Sequence, residues 1–326
     1  MRVLIIGRYK PQFEHHLLPF VIEQGDALKK AGCIVDFLPI QGKGLSAYFS
    51  TKALKQKINT FQPDIIHAHY GLSGITAVLQ NSVPVVTTFH NGETLNWYVN
   101  LLTSLFALKA QHVISVAEHI YQKLYFKNPK FTILPCGVNL AECQITEKQE
   151  ARHLLGFQDN KKYILFGGAF SNKRKNYELL EQSLHIIADS NIETLEMRGL
   201  SRNDISLRLS ACDLFALPTK SEGSPQALKE AMACNCPIMA TDVADIKHLL
   251  GDIPGHFICS FNPQEVASTL STALRFPNRT KGRERIIELE LDNDHIAQRL
   301  IAIYESVLSQ HSPTCLEPQN KSVQSV

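Results

Sequence analysis

The chain has 326 residues, a length that favours two domains over one, and its 44% hydrophobic and 20% charged side chains are those of an ordinary globular protein. Lysine and arginine number 33 against 31 acidic residues, and residues 1–150 hold 14 basic against 10 acidic, which is far from the basic stripe of a nucleic-acid binder, so no nucleic-acid partner is expected. No apolar run reaches the ~18–20 residues that cross a bilayer and the first apolar run is too short for a signal peptide's core, so a cytoplasmic location is expected.

Residues 2–7 form an apolar run closed by glycine and predict a first strand, followed by a loop with Pro11 and a helix carrying Phe20, Val21, Gln24, Ala27 and Leu28. Strands are predicted over 33–40, 65–69, 83–90, 112–116 and 131–135, with helices over 52–61 and 71–80 between them. Apolar strands alternating with helical patterns imply a parallel sheet covered on both faces. Loops after such strands carry chemistry, which singles out His69 and His90 at strand ends and His15 in the first loop. Residues 95–110 are apolar and aromatic over more than half a helix circumference, which fits a core helix or one lying on a membrane surface, but not a span.

After Pro135-Cys136-Gly137-Val138-Asn139, the polar stretch 142–152 reads as a linker, and a second alternation begins. The expected division is a first domain over 1–145, a second over 146–293, a last amphipathic helix over 294–310 and a disordered polar tail over 311–326. The strand 162–166 ends in Gly167-Gly168-Ala169, and Lys173, Arg174 and Lys175 precede a helix over 177–188. Three cations at a helix start oppose its dipole, so helix stability does not explain them, whereas an anionic ligand does. The eight cysteines include no CxxC pair and mostly sit in apolar runs, as reduced, buried small side chains do.

The stretch 221–233 holds the sharpest signal. Ser224 suits an N-cap, Pro225 the first helical position, and residues 227–233 a helix, whose free N–H groups and positive dipole end then face the loop Glu222-Gly223-Ser224. A diphosphate suits that spot, and glycine allows close approach. Glu222 lies at the mouth and Glu230 roughly 8 Å along the helix, so that each carboxylate can accept both hydroxyls of a sugar diol. Strands over 213–218 and 237–243 make the surroundings a βαβ unit, whose ligands bind at the carboxyl ends of the strands.

Ala211-Cys212-Asp213, Pro218, Glu222-Gly223-Ser224-Pro225, Glu230-Ala231-Met232-Ala233, Pro237 and Ala240-Thr241-Asp242 together resemble family 4 of the retaining glycosyltransferases, in its bacterial polysaccharide- and lipopolysaccharide-assembly members. Thr88-Phe89-His90 and Pro135 to Asn139 are similar to further signatures of that family. The resemblance implies an α/β GT-B fold, with two Rossmann-like domains facing across a cleft and a final helix crossing back to the first. The second domain would hold a nucleotide-sugar donor through Gly168, Arg174, Lys175, Glu222, Gly223, Ser224, Pro225 and Glu230. The first would bind a saccharide or lipid-linked acceptor, with His15 and His69 on that side and peripheral contact with the inner membrane.

The implied catalytic set is His90, which hydrogen-bonds the transferred sugar, with Glu222 and Lys175. Most relatives end the strand before this loop in Gly-Arg, the arginine clamping the phosphates together with the lysine; here Gly168 or Ala169 stands in its place, so either Lys173 or Arg174 substitutes or one cation fewer holds the donor. No metal-binding Asp-x-Asp sequence is read anywhere in the chain, and helix dipole with Lys175 meets the charge of the departing diphosphate, so no metal and no cofactor are expected. A non-catalytic relative acting as a partner protein and a sugar-nucleotide epimerase of the same fold are the alternatives.

Overall fold

The computed structural model describes residues 1–42 and 44–310. The tail expected over 311–326, with Cys315, lies outside the described residues. The first sheet contains β1 (Arg2–Arg8), β2 (Ile34–Ile40), β3 (Ile65–His69), β4 (Val85–Phe89), β5 (His112–Ser115) and β6 (Phe131–Ile133), in the order β2-β1-β3-β4-β5-β6. The second contains β7 (Lys162–Phe166), β8 (Ile192–Glu196), β9 (Leu214–Leu217), β10 (Ile238–Thr241) and β11 (His256–Cys259), in the order β11-β10-β9-β7-β8. All pairings are parallel, with Val3 opposite both Val35 and Ile65, and Ile164 opposite both Thr194 and Leu214. Each sheet therefore reverses its order beside its first strand, and ligand crevices form at the carboxyl ends of strands at such points.

Helices cover both faces, so the central strands are apolar throughout: Val3 to Ile6, Ile164 to Phe166 and Leu214 to Leu217 are fully buried. The 142–152 stretch departs from the expected linker. It contains the helix Lys148–Leu155, capped by the Glu147 carboxylate, which accepts from the N–H groups of Gln149 and Glu150. Lys148 and Arg152 reach the buried Asp213 at 2.8 and 2.7 Å, so the charges that suggested a solvated linker anchor a helix to the second sheet. Burial works against the Asp213 carboxylate, but these cations and the Tyr163 N–H hold its pKa below the usual range.

The last helix, Asn293–Ser309, packs on the helix Pro19–Lys30 and sends Tyr304 into the first sheet, where its hydroxyl meets His67 Nδ1 at 2.6 Å. The chain thus crosses twice between the sheets, and the crossings touch: Val138 bridges Asp292, and a Cβ on Gly137 would lie 3.0 Å from the Asn293 Cα. Of the seven cysteines described, all are free and all but Cys136 are buried.

Candidate active site

The loops after β7 and β9 are stitched together at the reversal of the second sheet. Lys220 N–H donates to the Arg174 carbonyl at 2.9 Å, and Thr219 Oγ1 donates to the same oxygen at 3.1 Å. Thr241 Oγ1, from β10, holds the Thr219 carbonyl at 2.6 Å. This frame presents Glu222, whose buried carboxylate accepts from Lys175 Nζ at 2.8 Å and from Arg174 Nη1 at 3.0 Å. Burial disfavours the ionised form, yet Lys175 and Arg174 outweigh it and keep the carboxyl below its usual range.

The same cluster bears on the missing arginine. The Lys175 stem crosses Gly168 so closely that a Cβ there would lie 2.9 Å from Lys175 Cγ. Lys173 is exposed, whereas Arg174 pairs with Glu222 and lines the cleft. Arg174 is therefore the cation that stands beside Lys175.

The cleft encloses a cavity of about 280 Å³, with Arg174, Glu222, Gly223 and Ser224 on one side and Tyr70 and His90 on the other. Gly223 brings the walls together, since a Cβ would sit 3.0 Å from the His90 carbonyl oxygen. His90 donates its backbone N–H to Glu93, which also accepts from Gly71 N–H, and its ring packs against Tyr70 at 4.7 Å and Phe20 at 5.0 Å. His90 Nε2 lies 3.0 Å from His69 Nδ1. His69 is stacked in turn on His67, whose Nε2 meets Thr88 Oγ1 at 2.7 Å. Burial pushes all three imidazoles down, His69 to about 3, so they are neutral near pH 7.

Several expected residues sit elsewhere than the sequence suggests. His69, expected toward the acceptor, is buried behind His90 and Phe20 and does not line the cleft cavity. His15 stacks on Phe37 of β2 at 4.9 Å and lines neither cavity at the cleft. Ser224 does not cap the following helix, which runs from Gln226 to Ala233 with Pro225 at the N-cap; its hydroxyl instead meets Lys229 Nζ at 2.8 Å. Glu230 is buried on that helix and paired with Arg202, which also binds Glu23 of the first sheet's helix Pro19–Lys30 at 2.6 Å. Burial pushes both carboxyls up, against the pull of Arg202.

Three residues escaped the sequence reading. Lys229 is a fully buried cation that donates to the Cys136 carbonyl as well as to Ser224, and burial pushes its pKa down. Its one visible signal is a lysine beside Glu230 in a run that is otherwise alanine, leucine and methionine over 227–233. His119 Nε2 reaches the Glu222 carbonyl at 3.0 Å from the first half, and Arg202 bridges the halves, pairings that no local pattern announces. The reading also passed over Asp292-Asn293-Asp294, an Asp-x-Asp sequence. Its carboxylates are engaged: Asp292 caps the last helix and binds His295, and Asp294 pairs with Lys30.

Two facing, all-parallel sheets with the cleft between them define the GT-B class of fold. Residues 14–142 match Glycosyltransferase Family 4 and residues 158–275 match Glycosyl transferases group 1, so the chain belongs to the family 4 glycosyltransferases. It is 30% identical over 61% of its length to the "Putative teichuronic acid biosynthesis glycosyltransferase TuaC" of Bacillus subtilis, 58% of which is covered. It is 25% identical over 68% of its length to a D-inositol 3-phosphate glycosyltransferase of Streptosporangium roseum, 63% of which is covered. The chain therefore spans less than two thirds of these relatives. HepE of Anabaena, solved in complex with UDP and glucose, superposes with a TM-score of 0.73 over 94% of this chain and 100% of its own, at 15% identity. Among the described residues, no helix is long and apolar enough to cross a membrane.

Proposed function

We propose that this protein is a retaining glycosyltransferase that moves a hexose-type sugar from a nucleoside-diphosphate sugar to a saccharide or lipid-linked saccharide acceptor during cell-surface polysaccharide or glycolipid assembly. One observation carries the reading: Arg174 and Glu222, the latter also held by Lys175, line the cleft cavity together with His90. Glu222 accepts hydroxyls of the donor hexose, and His90 hydrogen-bonds the sugar near its anomeric carbon. As the bond from that carbon to the diphosphate oxygen breaks, negative charge grows on the departing group. Arg174, Lys175 and the positive end of the helix Gln226–Ala233 stabilise it, with no metal required. The leaving phosphate oxygen takes the acceptor hydroxyl's proton, and the new bond forms on the face just vacated, so configuration is retained.

Peripheral membrane contact belongs to the same proposal. The helix Trp97–Ala107 exposes Trp97 (68%), Tyr98, Leu101 and Leu105, beside exposed Tyr125 and Phe126 and the cations Lys109, Lys123 and Lys127. Apolar side chains ringed by lysines suit an anionic bilayer surface.

The test is transfer from UDP-, GDP- and ADP-hexoses to a lipid-linked saccharide fraction, with the anomeric configuration of the product read by NMR. A product that keeps the donor's configuration supports the proposal, and an inverted product overturns the mechanism. Flotation with phosphatidylglycerol vesicles, lost on Trp97→Ser and Leu101→Ser, tests the membrane contact.

A further inference from the structure

A second cavity, of about 210 Å³, opens beside the cleft at the carboxyl end of β1. It shares Tyr70 and Gly92 with the cleft cavity, so the two have a common wall. We propose that this cavity seats a phosphate or diphosphate group carried by the acceptor, gripped by Arg8 and Lys10, with the acceptor's apolar carrier lying on the cavity floor. The inference rests on the glycosyl-transfer reading of the cleft and names the acceptor class.

The charges point that way. Arg8 ends β1 at the sheet's order reversal, Lys10 follows two residues later, and neither makes an ion pair among the described residues. The one acid of the lining, Glu93, is buried and committed to the N–H groups of Gly71 and His90, so it neutralises neither cation. A guanidinium beside an ammonium, both unpaired at the rim of one cavity, matches a phosphoryl group in charge and donor number. Leu18, Leu72 and Val99, with the rings of Tyr48 and Tyr70, make most of the remaining lining and suit hydrocarbon. Val99 belongs to the helix whose other face exposes Trp97, Tyr98 and Leu101, so a carrier leaving the cavity meets an apolar surface.

Tyr70 separates the two seats. Its backbone takes φ 71°, ψ 137°, a strained conformation for a residue with a Cβ, and is held there by its N–H bond to the Thr88 carbonyl at 2.9 Å. Its ring packs against His90 and lines both cavities. An acceptor that fills both thus has its attacking hydroxyl beside His90 and its phosphate beyond Tyr70.

The test is equilibrium binding of three probes, geranyl diphosphate, inorganic pyrophosphate and geraniol, read by the fluorescence of Trp97, the single tryptophan. Wild type, Arg8→Gln, Lys10→Gln and the double variant are compared, with UDP, GDP and ADP binding followed in parallel by calorimetry. Geranyl diphosphate is expected to bind at least about tenfold more tightly than either other probe, to lose at least about tenfold in each single variant, and to bind alongside saturating nucleotide. Nucleotide binding is expected to be unchanged in all variants. Geranyl diphosphate binding that survives the double variant, or that nucleotide displaces, overturns the proposal. Pyrophosphate binding as tightly as geranyl diphosphate overturns the apolar carrier. A wild type that binds geranyl diphosphate through Arg8 and Lys10 but binds no nucleotide supports this seat and overturns the donor reading instead.

Discussion

Lys175 Nζ and Glu222 Oε1 lie 2.8 Å apart, although they come from loops that follow different strands of the second sheet. Both side chains are largely buried, 12% and 6% exposed, so each compensates a charge that its surroundings disfavour. Arg174 shares the carboxylate, so removing the lysine leaves Glu222 with one partner.

Lys175→Ala is therefore expected to cost about 1–3 kcal/mol at pH 7, less than the loss of an isolated buried pair. Glu222 has a folded pKa below its unfolded value of about 4.5, so its stabilising contribution is present above that pH and fades as pH falls through the folded value. Urea denaturation of both proteins at pH 7 and pH 4 checks this: the gap between them narrows at the lower pH. A gap that widens on acidification contradicts the assignment of Lys175 as the partner.

Lys229 offers the opposite balance. A fully buried ammonium whose pKa is pushed down is a cost to the fold, offset by its bonds to Ser224 and the Cys136 carbonyl. Lys229→Met keeps the volume and removes the charge, so thermal unfolding should show stability within about 1 kcal/mol of wild type. The Glu222-Gly223-Ser224 loop loses its tether, and nucleotide affinity measured by calorimetry should fall several-fold. Strong destabilisation with unchanged affinity would assign Lys229 to the core rather than to the loop.

The stacked histidines predict acid sensitivity. His67, His69 and His90 are held neutral in the fold, with pKa values depressed from about 6.5, His69 to about 3. Below pH 6.5 the unfolded chain takes up protons that the folded chain does not, so stability declines as pH falls toward the folded values. From pH 7 to 5.5 the loss is about 1 kcal/mol per histidine, and His69→Gln, which keeps a donor for His90, should reduce it. Denaturation midpoints across that range decide the matter; a pH profile unaffected by His69→Gln would contradict it.

Much of the architecture was legible because both sheets are buried on two faces, so each strand is written as an apolar run between helical patterns, as at 162–166 and 214–217. The donor loop was legible because glycine, proline and two carboxylates fall at fixed spacing around one helix start. Its detail was not: Ser224 has the right chemistry for an N-cap, but a buried lysine one turn on competes for its hydroxyl. The helix Lys148–Leu155 was missed because its lysine and arginine look solvated until Asp213 comes near. Arg202 and His119 act across the cleft, between residues far apart in sequence, and nothing local marks such pairs.

In the proposed donor site, Arg174 and Lys175 grip a nucleoside diphosphate without a metal ion. Titration calorimetry of UDP, GDP and ADP into wild type, Arg174→Ala and Lys175→Ala, each with and without EDTA, tests it most directly. One nucleotide is expected to bind wild type equally well in EDTA and at least about tenfold more weakly in each variant. Binding that vanishes in EDTA, or that both variants leave untouched, would contradict the account.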